Sequence, residues 1–525
     1  MSTQQTIAER PLSLAGSIAL SQSAILRLAL LTPVIFFLYG YHPFADDAGI
    51  YVAGIQKLAD PGLYQPDAAF VLAHTHLSLF AHVLAGIVRI TTFPLEAVLL
   101  AAHLASIFLF LLACWQLAER FFATTAQRWC SVILAGACFT LPIAGTALSL
   151  MDPYVTARSF STPLGLFALV AAIDRRWWRM GALLLLAAVL HPLMTIYAAG
   201  LVVLFLLVDL GVPRAALLLS GHALALASIL FFCTLHQPVS AAYREAILSR
   251  SYIFPSMWQR FEYFGIGVPL ILFALAIVRP AASALIRHLC FAACLLGVTG
   301  TLIAFLFVHP SGPFLIARLQ PLRCFQILYT LGVLLLGGLV GRLLFEPVRG
   351  VRSRIMAVAL LAVILASLYA AQRGAYPNSA HVELPGHTPR NPWKQAFVWI
   401  RANTPRNAVF AANPHLVFMG GEDAQGFRAT AQRSLLADDK DEGVVIVFPQ
   451  LAEAWAAQRK PQAGIDSMSD QQRLARLRPL GVTWIMLPEE SATSLPCPYH
   501  NAIVQVCRLE AASQVAEGPT SLPAR

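Results

Sequence analysis

Apolar residues fall in blocks along the first 371 positions, and the blocks are separated by short polar breaks. About 20 apolar residues are needed to cross the ~30 Å of bilayer hydrocarbon. On that measure we read eleven spans, over 23–41, 95–117, 129–146, 160–173, 180–190, 194–209, 215–233, 264–279, 289–308, 324–341 and 353–371. The stretch "LLLLAAVLHPLMTIYAAGLVVLFLLVD" reads as a hairpin of two short spans or as one bent helix, so the count runs from ten to twelve. After residue 371 the blocks end and shorter apolar runs take over.

The breaks carry orientation. "AERFFATTAQR", "DRRWWR", "DLGVPR", "RPAASALIRH" and "GRLLFEPVRGVRSR" hold twelve basic residues in alternate breaks, the mark of cytoplasmic loops. The N-terminal segment 1–22 is then cytoplasmic and the tail lies outside. Segment 69–90, "AFVLAHTHLSLFAHVLAGIVRI", is apolar enough to span, but a crossing there would turn every later Arg-rich break outward. Its three His and one Arg also suit an interface better than lipid. It reads as a surface helix, the second of two (46–59 and 68–90) in a long outer loop over 42–94. No small-residue cleavage site follows the first span, which marks it as a retained anchor. A bacterial inner membrane with a periplasmic tail is the simplest placement.

Composition sharpens the division. The 525-residue chain is 58% hydrophobic and 12% charged, with mean hydropathy +0.66, where soluble domains carry roughly 25% charged residues. Residues 1–371 hold 22 Lys/Arg against 13 Asp/Glu, and residues 372–525 hold 15 against 14. Basic excess confined to a membrane part records topology and anionic lipid, which leaves no call for a nucleic-acid partner.

Two adjacent carboxylates, Asp46 and Asp47, open the outer loop in "FADDAGIYVAGIQKLADPGLYQPD". An acid there can cap the helix that follows, for ~1 kcal/mol, yet one Asp suffices for a cap. The pair, the small residue and Tyr after it, the amphipathic helix and the aromatic, Pro-containing turn resemble the first outer loop of the GT-C superfamily of membrane glycosyltransferases. That superfamily includes the protein O-mannosyltransferases and the aminoarabinose transferases. The resemblance implies a multi-span fold, a polyprenyl-phosphate sugar as donor, and Asp46 as the acid that activates the acceptor. Asp47 stands where the family often has Glu.

The chemistry suits that reading. A glycosyl phosphate carries its own leaving group, so the enzyme must deprotonate an acceptor and steady a developing phosphate anion. A paired carboxylate can tune the base, and cations at the same depth serve the anion. The outer-side candidates are Arg158, Arg244, Arg250, Arg318 and Arg323, with Arg323 singled out because it begins a span; snorkelling to the interface is the structural alternative for each. We expect Arg323, with Arg244 or Arg250, to form the phosphate clamp.

His74 and His76, at i and i+2, fall on different sides of the surface helix, whereas His74 and His82 lie near one face. Some superfamily members hold a divalent metal at the equivalent loop; the residues here require no cofactor but leave room for one. His191 and His309 each precede Pro at a span end and read as helix-terminus residues. Walker, nucleophile-elbow, HExxH and CxxC patterns are absent, and Cys290 and Cys294 read as packing sulfur.

The tail follows a Pro- and His-rich linker over 372–392. "WKQAFVWIRANTP" and "QQRLARLRPLG" read as helices and "NAVFAA", "GVVIVF" and "GVTWIMLP" as buried strands, giving a small α/β domain with a largely parallel sheet over 393–525. Its order, including the "FRATAQRS" segment, resembles tails on uncharacterised bacterial membrane proteins of this layout. Cys497 and Cys507 are the two tail cysteines, with nine residues between them around a turn, and we expect them to form a disulfide in the oxidising periplasm.

The whole reads as an α-helical polytopic membrane domain of about eleven helices, GT-C-like by resemblance, with a soluble α/β domain. The function expected is transfer of a lipid-phosphate-linked sugar, of hexosyltransferase type, to an acceptor among membrane lipids, proteins or glycans. A non-catalytic transporter or assembly protein is the alternative, although transporters concentrate ionisable groups at mid-membrane, where few stand here.

Overall fold

A computed structural model describes residues 21–214, 216–218, 239–280, 282–312, 314–345 and 350–509. Helix α1 (Gln22–Tyr39) runs to a loop that leads into α2 (Asp47–Ala59), α3 (Ala68–Ala73) and α4 (Phe80–Thr91). Helices α5 (Leu95–Phe121), α6 (Thr125–Ala137), α7 (Ala157–Ile173), α8 (Trp177–Leu190) and α9 (Pro192–Asp209) follow. Long apolar helices over Phe264–Val278, Ala284–Phe307, Phe325–Phe345 and Val351–Ala375 complete the bundle. Seven helices among the described residues are long and apolar enough to cross a membrane, and α7 and α8 are shorter apolar ones. The expected span over 215–233, with Cys233, lies almost wholly outside the described residues.

The pattern of ion pairs assigns the helix ends to two faces. Arg120 binds Asp174 at 2.8 Å, Arg175 binds Asp209 at 2.9 Å, and His288 Nδ1 lies 3.3 Å from the same Asp209. Those residues therefore share one end of the bundle. At the other end, Tyr41 pairs with Val382, the Ser78 hydroxyl donates to the Leu190 carbonyl, and tail residues Arg406 and Arg401 meet Asp60 and Glu96. Asp209 and Arg175 are together while Leu190 is at the opposite face, so α8 and α9 are a hairpin turning at His191–Pro192. Both ends of segment 42–96 likewise lie on the tail side, so that segment does not cross.

Two expectations in this region need correction. The surface segment is not one helix over 68–90, because α3 and α4 are bent by 105° around a 3₁₀ turn at His74–His76. The span over 129–146 ends as α6 at Ala137. Pro142 cannot continue a helix, and Ala144 and Ala147 hold φ of 44° and 53°, which commits the chain to an irregular loop.

The tail carries a five-stranded sheet, β1 (Val409–Ala411), β2 (Ser434–Leu435), β3 (Trp484–Pro488), β4 (Tyr499–His500) and β5 (Val504–Arg508), ordered β2-β1-β3-β5-β4. The β1–β2 and β1–β3 pairs are parallel, while β3–β5 and β4–β5 are antiparallel, so the sheet is mixed rather than largely parallel. Two of the expected elements are helices Pro392–Asn403 and Asp470–Leu477. Cys497 and Cys507 are bonded, with Cα atoms 3.9 Å apart.

"GVVIVF" is not a strand. Glu442–Val447 is helical, and Val444, Val445 and Ile446 pack with Trp455 against Tyr243, Ile247, Phe254 and Phe314 of the membrane part. A short apolar run carries no period that separates a strand from a helix buried all round. Here docking between the two parts decides it, and each large apolar side chain buried there is worth roughly 1.5–3 kcal/mol. By contrast Leu26, Leu30, Val34 and Phe37 of α1 stay exposed, the stripe a lipid-facing helix presents.

Candidate active site

Asp46 is the residue before α2, yet its side chain makes no cap hydrogen bond. The backbone there is held at φ 47°, ψ −125°, a sparsely populated region for a side-chain-bearing residue that costs about 1–3 kcal/mol. The strain is fixed from the tail, where Gln425 Oε1 accepts the Asp46 N–H at 2.6 Å. Gly426 lies beside it at φ 75°, and a Cβ at that position would collide with the Phe44 carbonyl oxygen. Only glycine lets the two segments approach so closely.

Freed from capping, the carboxylates face a cleft and are 43% and 41% exposed. Tyr154 donates its hydroxyl to Asp46 Oδ2 at 3.0 Å. Lys440, from the tail, donates Nζ to Asp46 Oδ1 and, at 2.8 Å, to Asp47 Oδ1. Asp47 Oδ2 also lies 4.0 Å from Arg158, whose other nitrogen binds buried Asp152 at 2.6 Å. The irregular loop over 138–156 carries Asp152 and Tyr154. The His42 N–H donates to the Pro153 carbonyl, and a Thr156–Ser159 capping box starts α7 so that Arg158 falls in its first turn.

Burial alone would push Asp47 up, but Lys440, then Arg158 and Arg323, outweigh it and hold the carboxyl well below the usual carboxylate range. Burial raises Asp152 against the pull of Arg158. Lys440 is held above the ordinary lysine range by the two acids, against the effect of burial.

The five candidate arginines separate. Arg158 meets the acids directly. Arg323 lies close enough for its charge to act on Asp47, and its guanidinium has no hydrogen-bond or ion-pair partner among the described residues, with Nε fully buried. Arg244 instead donates to the Pro310 carbonyl over the Phe314 ring. Arg250 holds the Asp439 carbonyl at 2.7 Å and Glu442 at 3.2 Å, and Arg318 holds the Val447 carbonyl at 2.7 Å. Those last two fasten the tail to the membrane part, and Arg244 too is engaged elsewhere, so of the five only Arg158 and Arg323 act on the acid pair.

The histidines serve structure. His74 stacks on Tyr51 at 5.5 Å beside the acids, and burial lowers its pKa. His76 and His82 are exposed, and the 105° bend takes His82 off the His74 face. His191 Nδ1 accepts the Met194 N–H at the start of α9, and His309 meets the Phe305 carbonyl at a helix end. Cys290 and Cys294 are free thiols in the bundle.

Sequence reasoning missed Lys440, Asp152 and Tyr154. Asp152 and Tyr154 sit in the same "MDPYVTARSF" stretch as Arg158, and Lys440 is the lone cation among four acids in "ADDKDEGV". A second cavity, about 360 Å³, opens in the tail beyond the C-terminal ends of β1 and β3, lined by Trp393, Met486, Asp466 and Glu489.

The bundle, with an acid pair on the loop after its first helix, has a GT-C-like fold. It is similar over 89% of its length to the Archaeoglobus fulgidus oligosaccharyltransferase tethered with an acceptor peptide containing the NVT sequon. That likeness covers 69% of the solved chain, with 12% identity and a TM-score of 0.50. The apo form of that enzyme (12% identity, 89% and 70% of the chains, TM-score 0.47) is similar too. So is the complex with an inhibitory peptide and a dolichol-phosphate (12%, 88% and 69%, TM-score 0.42). Residues 391–460 match a domain of unknown function, DUF6798. No curated protein matches.

Proposed function

We propose that the chain is a membrane glycosyltransferase of hexosyltransferase type that uses a polyprenyl-phosphate-linked sugar at the outer face of a bacterial inner membrane. The observation that carries this reading is Arg323, a largely buried guanidinium with no partner among the described residues, whose charge reaches Asp47 of the acid pair. A buried charge is costly unless paired, and an anionic ligand at that depth would pair it. The planar fork suits a phosphate. The solved neighbour with this fold is itself an oligosaccharyltransferase, which agrees with the reading.

In the proposed reaction the acceptor gives its proton to Asp46 as its oxygen or nitrogen forms a bond to the anomeric carbon. The bond from that carbon to the phosphate oxygen breaks, and its electron pair leaves with the phosphate. Arg323 and Arg158 stabilise the charge that develops there, and Asp47 fixes the base through their shared cation. Tyr154 orients Asp46 through its hydroxyl.

Asp46→Asn tests the base. The amide is nearly isosteric with the carboxylate and leaves the Asp46 backbone and its bond to Gln425 in place, so the fold should be retained. Transfer from labelled membrane lipid donors is expected to fall about 10²–10⁴-fold with membrane abundance unchanged. Full activity in this variant would overturn the assignment.

A further inference from the structure

The GT-C resemblance leaves room for a divalent metal at the first outer loop, so the donor set there decides whether one fits. Among the described residues no three His, Cys, Asp or Glu come together in a way that could hold a metal ion. Hard divalent cations take about six or more oxygen ligands. Asp46 instead commits one oxygen to Tyr154 and the other to Lys440, and Asp47 turns Oδ1 to the same ammonium. The formal charges already balance: Asp46, Asp47 and Asp152 face Lys440, Arg158 and Arg323. A further double positive charge would enter against three resident cations.

Lys440 is placed by construction. Asp438 Oδ1 accepts the N–H groups of Lys440 and Asp441, closing the turn that carries the lysine, and Trp455 Nε1 donates to the Asp438 carbonyl at 3.0 Å. The Lys440 side chain is 17% exposed, and its ammonium lies 6.0 Å from the centre of the Phe418 ring. An ammonium so enclosed is unfavourable unless paired, and two carboxylates pair it.

We propose that Lys440 is the resident cation of this acid pair. Its ammonium holds Asp46 and Asp47 together where a divalent ion would otherwise stand, so the site excludes divalent metal and is incomplete without the tail. Residues 391–460, the part that matches the domain of unknown function, also supply Gln425, Gly426 and Arg428 to the same cleft, so the role of that region in this chain is to complete the acid site. Lys440 acts through the base and is a positioning residue; its catalytic meaning rests on the glycosyl-transfer reading, while its exclusion of metal does not.

The test titrates the full chain in detergent with Mn²⁺ and reads bound ion by electron paramagnetic resonance. Wild type and Lys440→Arg are expected to show no site with Kd below about 1 mM. Lys440→Ala is expected to gain one site at least about tenfold tighter, because a fixed positive charge has left the carboxylates, and adding Asp46→Asn should remove it. Lys440→Met replaces the Ala variant if that one fails to fold. Wild-type transfer should withstand chelation, and Lys440→Arg should retain more transfer than Lys440→Ala. A wild-type Mn²⁺ site that Asp46→Asn abolishes, or a folded Lys440→Ala or Lys440→Met that gains none, overturns the proposal. If no transfer is detected in any variant, the glycosyl-transfer reading falls and the Mn²⁺ titration decides the cation question by itself.

Discussion

Arg323 shows how much one side chain can say. Arg158 at the same site ends on Asp152 at 2.6 Å, and Arg120 at the opposite end of the bundle ends on Asp174 at 2.8 Å, whereas Arg323 has no carboxylate partner among the described residues. Arg323→Lys keeps the charge and loses the fork, so kcat/KM for a lipid-phosphate donor should fall about tenfold, and Arg323→Ala should lose a further tenfold or so. Wild-type kinetics in both variants would mean that the guanidinium only snorkels. Asp46 carries the converse lesson. Capping was the structural alternative for a residue at this helix start, and its strained backbone instead leaves the side chain without a cap bond and in the cleft.

At the scale of elements, the helix Glu442–Val447 is the joint between the two parts. Burial pushes Glu442 up to about 7 although Arg250 lies 3.2 Å away, and burial with Asp441 nearby pushes Asp438 up to about 7. In the unfolded chain both protons leave near pH 4–4.5. Between that pH and about 7 the folded chain binds more protons than the unfolded one, so stability is greatest below the unfolded values and declines as pH rises through 7. Thermal unfolding of the tail between pH 5 and 8 should show this decline, and Glu442→Gln with Asp438→Asn should flatten it. A melting temperature in wild type that rises with pH over that window would refute the assignment.

The whole molecule is held in register by Arg428. Its guanidinium binds Asp67, just before α3, at 2.6 Å and Asp441 of the tail at 3.0 Å, while its carbonyl accepts the Tyr64 hydroxyl. Arg428→Ala would leave two buried carboxylates unpaired, a loss of about 3–5 kcal/mol. The expected result is a tail that limited proteolysis releases and a chain that loses transfer because Lys440 is no longer held at the acids. Resistance to protease equal to wild type would show that the apolar joint suffices.

The membrane part was legible in the chain because lipid imposes a length and a composition on every crossing segment. The acid pair was legible because two adjacent carboxylates beside a span have few structural uses. Gly481 after "RLRPL" and Pro405 after "RANT" also announced their helix ends. What the pattern could not fix were contacts between residues hundreds of positions apart. Lys440 reaches Asp46 across 394 positions, and nothing local in "DDKDE" separates a solvated charge run from a built-in cation. "GVVIVF" lies in a helix because Tyr243, Phe254 and Phe314 bury it from several sides, a fact absent from its own six letters. Arg250 and Arg318 looked like ligands for phosphate because the tail carbonyls that claim them come together only in the fold. Local sequence set the elements through solvent and backbone sterics, and tertiary packing alone chose which charges meet.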